Sequence, residues 1–124
     1  MGPTDEPGLP SISRKSYTIA GIAVTVFGLD ELPFDASEIA CLWLLHPRLA
    51  TQERMFDIAD TILNYWNKSR RPSLADVKPV TTGLIAVTFD QRNHGTREID
   101  PLVNMSWRQG NPRHAQDLFS IIRQ

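Results

Sequence analysis

Ile39-Ala40-Cys41-Leu42-Trp43-Leu44-Leu45 runs straight into His46-Pro47-Arg48. The seven apolar residues show no alternation. A short apolar run of this kind reads as a strand buried on both faces, the habit of parallel sheets. Pro47 has no N–H to offer a ladder, so the strand stops there. A second such run, Gly83-Leu84-Ile85-Ala86-Val87-Thr88-Phe89, stops at Asp90. Between them lies the clearest helix. Met55, Ile58, Ala59, Ile62, Leu63 and Trp66 recur at spacings of three and one, which keeps one stripe facing a core. Thr51 is placed to cap its start, with Glu53 and Asp57 near the positive end of the dipole. Lys68, Arg70 and Arg71 cluster at its other end, before Pro72. That cluster reads as a dipole-matched, solvated helix end, with an anion site as the alternative. Strand, helix and strand over about fifty residues make a βαβ unit whose two strands are parallel neighbours.

Upstream, Tyr17 and Ile19 share one alternation phase and Ile22, Val24 and Val26 the other. The slip at Ala20-Gly21 predicts a hairpin turn or a bulge, because glycine accepts a positive φ. Downstream, Gln91 to Gly110 reads as a loop. Asn111-Pro112 then opens a helix with apolar Ala115, Leu118, Phe119 and Ile122. The fold class is therefore α/β: a β-hairpin, a βαβ unit with parallel strands, and the start of a further helix. Trp43 and Trp66 are assigned to the core and Trp107 to a polar loop.

The chain has 124 residues, 41% hydrophobic and 22% charged, a globular composition. Thirteen Lys and Arg against 14 Asp and Glu give a net charge of -1. That lacks the basic field of a nucleic-acid binder. A single cysteine, Cys41, excludes an internal disulfide framework and an all-cysteine zinc site. The first ten residues hold three of the nine prolines and no apolar leader, so residues 1–15 read as a disordered tail without a secretory signal. No apolar run approaches the ~18 residues needed to cross a bilayer. The expected setting is cytoplasmic, with no membrane or nucleic-acid partner.

Ligands of open α/β sheets bind outside the C-terminal ends of the strands. Parallel pairing brings His46-Pro47-Arg48 together with Asp90-Gln91-Arg92-Asn93-His94-Gly95 at that rim. The strongest reading makes Asp90 and Arg92 a pair, or a cap, for a sharp turn ending at Gly95. A metal site from His46, Asp90 and His94 is a further alternative, since imidazole and carboxylate suit zinc or iron. His114 is read as solvent-facing or capping. The seven glycines include no two that are four residues apart, so the Gly-x-Ser-x-Gly elbow of a serine hydrolase is absent. Neither a dinucleotide fingerprint nor a phosphate loop is present.

Four stretches resemble the N-terminal part of the α/β-hydrolase-fold family, in a serine-hydrolase-like branch found mainly in fungi. They are Val26-Phe27-Gly28-Leu29-Asp30-Glu31-Leu32, Cys41 to Leu49, Phe89 to Glu98, and Gly110 to Asp117. The resemblance covers about Tyr17 to Gln124, and makes 16–124 a partial hydrolase domain. Its most specific piece, Asp90 to Gly95, matches the Asp-x-Arg-x-x-Gly turn after the family's fourth strand. The resemblance implies that the loop after the third strand gives a backbone N–H to an oxyanion hole. His46 matches the family's histidine there, but Pro47 stands where a glycine is usual. The donor therefore falls to Arg48 or Leu49. Asp90, Arg92, His94 and Gly95 form the structural turn and pocket rim. The implied nucleophile, acid and base all lie beyond Gln124, so no catalytic residue is assigned within the chain and no cofactor is implied. The implied substrate of the parent protein is a small ester, amide or thioester. The chain alone is expected to be inactive. A non-catalytic interaction module is the alternative, in which the Gly83–Phe89 strand would become an exposed edge.

Overall fold

The computed structural model describes residues 11–69 and 82–122. Ile12 is buried in the core and β1 (Arg14–Ile19) already begins before residue 16, so these residues belong to the fold and not to the tail that the sequence suggested. Arg70, Arg71 and Pro72, read above as a helix end, lie outside the described residues.

β1 and β2 (Ile22–Phe27) form an antiparallel hairpin with Ile19 opposite Ile22. Ala20 and Gly21 have φ of 51° and 79°. Two positive values in a two-residue loop are the type I′ pattern, whose twist matches that of the flanking strands. Ala20 carries a Cβ into that region, whereas asparagine tolerates it. Ala20→Asn is expected to raise stability by about 0.5–1 kcal/mol, read as a higher urea midpoint at unchanged m-value.

β3 (Glu38–Leu44) and β4 (Thr82–Phe89) are parallel, with Leu42 opposite Ala86. A 3-10 turn (Gln52–Met55) and α1 (Phe56–Ser69) connect them. Helix α1 buries Ala59 and Leu63. These pack with Ile12, Phe27, Leu44 and Ala86 into the main core. Burying side chains the size of Phe27 and Leu63 contributes about 2–3 kcal/mol each. Phe56, outside the predicted stripe, joins this core at 5.2 Å from the Phe27 ring, edge to face. The Arg14 guanidinium covers both rings, 5.1 and 4.6 Å from their centroids.

The sheet order is β1-β2-β4-β3. β2 pairs antiparallel with β4, so β2 and β4 are inner strands and β1 and β3 are the edges among the described strands. Both strands of the parallel pair were expected to be covered on both faces. β4 is flanked on both sides, so it is not the exposed edge of the interaction-module alternative, whereas β3 is mostly exposed. Trp43 is 60% exposed and Trp66 also stands outside the core. The reason is topological: the hairpin adds to the free side of β4. The apolar content of the two runs does not say which of them receives it. After β4, three short 3-10 turns, Gly95–Arg97, Pro101–Asn104 and Trp107–Gln109, lead to α2 (His114–Ile122). The result is a mixed α/β fold. No helix of the described residues is long and apolar enough to cross a membrane.

Candidate functional site

Parallel pairing of β3 and β4 puts the loops after them side by side. After β3, the Ala50 N–H donates to the Pro47 carbonyl at 3.1 Å, closing a turn with Leu49 at φ 68°. A leucine in the left-handed region is strained, a state that persists only where its surroundings enforce it. Here the Leu49 N–H is fixed by donation to His94 Nε2 at 3.1 Å. After β4, the His94 N–H closes a turn on the Gln91 carbonyl at 2.9 Å, with Asn93 at φ 63° and Gly95 at φ 52°.

The two loops are tied at several points. The Gln91 N–H donates to His46 Nε2 at 2.9 Å, and the Gln91 side-chain amide donates to the His46 carbonyl. The rings of His46 and His94 are both buried, with centroids 5.1 Å apart. His46 Nδ1 lies 2.8 Å from the Pro47 carbonyl and His94 Nδ1 lies 3.0 Å from the Arg92 carbonyl. A carbonyl only accepts, so these partners assign the proton of each ring to Nδ1. Each Nε2 then spends its lone pair on a backbone N–H.

That arrangement bears directly on the metal reading. A metal needs the lone pairs that His46 and His94 give to Gln91 and Leu49. Among the described residues, no group of three histidine, cysteine, aspartate or glutamate side chains could hold a metal ion.

Asp90 is buried beneath the turn. Its Oδ1 accepts the Gln52 N–H at 2.9 Å, and its Oδ2 accepts the Thr96 N–H at 3.0 Å and the Thr96 hydroxyl at 2.8 Å. Burial pushes its carboxyl up, but these three donors, with His46 nearby, outweigh it and hold the group below its ordinary range. The carboxylate thus links the start of the α1 connection to the Gly95 turn. Arg92 reaches elsewhere: it donates to Ser120 Oγ at 2.8 Å. The arginine serving Asp90 is Arg97, which donates to the Asp90 carbonyl at 2.9 Å. Arg48 extends to the Asn104 carbonyl at 3.4 Å.

Four supporting residues escaped the sequence reading. Gln52 Oε1 accepts the hydroxyls of Thr25 and Thr88 at 2.9 and 3.1 Å under the sheet. Asn93 Oδ1 accepts the N–H groups of Ile99 and Asp100, both at 2.8 Å, while Asn104 donates to the Asn93 carbonyl at 2.7 Å. Thr96 holds Asp90. Only Asn93 carried a local signal, since asparagine next to a His-Gly pair suits left-handed turns. His114 Nδ1 sits 3.1 Å from the Met105 carbonyl, and Trp107 is exposed in its turn.

No family model, curated protein or solved structure matches the chain.

Proposed function

We propose that this chain forms the oxyanion-side wall of a serine-hydrolase-type acyl-transfer site, of the kind that cleaves esters, amides or thioesters, and that its own serines are not the nucleophile. One observation carries the reading. In the loop after β3, Pro47 has no N–H and the Leu49 N–H is committed to His94. The Arg48 N–H alone, within Pro47–Leu49, has no hydrogen-bond partner among the described residues. Backbone N–H groups fixed on a rigid rim stabilise developing oxyanions because they need no reorganisation during the reaction. His46 and His94 favour the second half of the proposal. Both nitrogens of each ring serve the backbone, so neither is placed to take a proton from a serine.

The purified chain is expected to give no p-nitrophenyl ester turnover above buffer and no serine-specific fluorophosphonate labelling. Stoichiometric labelling of one serine would overturn the assignment. In a titration with methylphosphonate followed by amide NMR, the Arg48 resonance is expected to move and that of Leu49 to stay. A static Arg48 resonance would remove the oxyanion role.

A further inference from the structure

His46 and His94 are 2% and 3% exposed, and all four of their ring nitrogens are spent on the backbone. With Nδ1 carrying the proton of each ring, each Nε2 accepts an N–H from the opposite loop. A neutral imidazole can do this and an imidazolium cannot. A proton added at Nε2 takes up the lone pair and sets N–H against N–H, in a site that offers the new charge little water.

The two contacts differ in what they hold. His46 is tied to Gln91 a second time, through its own carbonyl and the Gln91 side-chain amide, so losing the Nε2 contact leaves the loops joined there. His94 Nε2 holds the Leu49 N–H at 3.1 Å, in the turn where Leu49 has φ 68°. Breaking that bond lifts the restraint on a leucine in the left-handed region, so release of backbone strain adds to the opening.

Charged groups approach the pair from each neighbouring segment. Asp90, at the end of β4, acts on His46 through its charge, while both its oxygens are bonded to Gln52 and Thr96. Arg48, in the loop after β3, reaches the Asn104 carbonyl. Arg92 reaches Ser120 and Arg97 the Asp90 carbonyl. Glu53 and Arg54, in the turn before α1, are exposed. The His46 ring faces His94 with centroids 5.1 Å apart. Among the described residues His94 makes no ion pair.

We propose that His94 is an acid-operated latch on the loop after β3. As pH falls, its Nε2 takes a proton from solvent and gives up the Leu49 N–H, and the Pro47–Ala50 turn comes free of the loop after β4. The Asp90 carboxylate keeps its hold on Gln52 and Thr96, so the opening is confined to that turn. Opening takes up one proton, and its equilibrium constant therefore rises by up to about tenfold for each unit fall in pH. The latch does not depend on the acyl-transfer reading.

Amide hydrogen exchange of the full chain, corrected for the intrinsic rate at each pH, tests this between about pH 7.5 and 5.5. The protection of Leu49 is expected to fall by about tenfold or more across that range, while Thr96, held on Asp90, keeps its own. In parallel, the nitrogen NMR signals of the His94 ring are expected to pass from the Nδ1–H tautomer to the doubly protonated form. His94→Gln supplies a neutral acceptor that does not titrate, and its Leu49 protection is expected to stay flat over the same range. Leu49 protection that is unchanged in the wild-type chain overturns the proposal, whether or not the ring titrates. So does a fall shared equally by Leu49 and Thr96, which would mean a general loosening of the fold in acid. Should His94→Gln fail to fold, the wild-type comparison of Leu49, Thr96 and the His94 ring decides by itself.

Discussion

Gly95→Ala is expected to destabilise the fold by about 3–5 kcal/mol. The φ of +52° accounts for part of this, since a side chain in the left-handed region costs about 1 kcal/mol. The larger part is steric. A Cβ at residue 95 would lie 2.5 Å from Asp90 Oδ2 and 2.7 Å from Oδ1. The carboxylate cannot simply retreat, because both oxygens accept backbone N–H groups from opposite sides, Gln52 and Thr96. Making room breaks charge-assisted bonds worth about 1.5–3 kcal/mol each. Against a total stability of about 5–15 kcal/mol, the loss is decisive. Gly110→Ala separates the two contributions. Gly110 has φ +99° with nothing within 4 Å of an added Cβ, so only the backbone penalty of about 1 kcal/mol is expected there. Urea denaturation of the three proteins checks this, and equal losses in the two variants would remove the steric argument.

Much of this arrangement was legible in the sequence, for reasons that also mark where legibility stops. The hairpin followed from a phase slip at a glycine. The parallel pair followed from two apolar runs around a helix, and with it the meeting of the His46 and Asp90 loops. Strand order was not legible. Central and edge positions depend on where the hairpin docks, and Ile39–Leu45, the more uniformly apolar run, is the one that lies at the edge. Helix α2 shows the same limit. Its apolar stripe could be read, but a polar shoulder of Asp117 and Ser120 with Ile121 does the docking. At the rim, Asp90 stood out as a strand-ending carboxylate, yet its partners could not be foreseen. Gln52 lies 38 residues away in sequence, and Arg97 displaced Arg92 because the Gly95 turn folds the chain back onto the Asp90 carbonyl.

Asp90→Asn tests whether charge, rather than shape, holds these loops together. Asparagine has the same size and opens no cavity, but its amide presents two donors on one side. The Asp90 oxygens face a backbone N–H each, from Gln52 and Thr96. In either orientation the amide sets N–H against N–H at one of them. The expected loss is about 2–4 kcal/mol at neutral pH, the range for stranding a buried donor that had a charged acceptor. The pH dependence gives the sign. Burial alone would raise the carboxyl, but donation from Gln52 and Thr96 prevails and the folded group sits below its ordinary range. A group depressed on folding contributes its full stabilisation above its unfolded value of about 3.9. That contribution fades as pH falls through the folded value. The stability gap between wild type and Asp90→Asn is therefore expected to stay constant from pH 7 to about 5 and to shrink below about 4. A gap that widened on acidification would show instead that the native site prefers the protonated acid, and the two loops would then be joined by a neutral hydrogen bond rather than a carboxylate clamp.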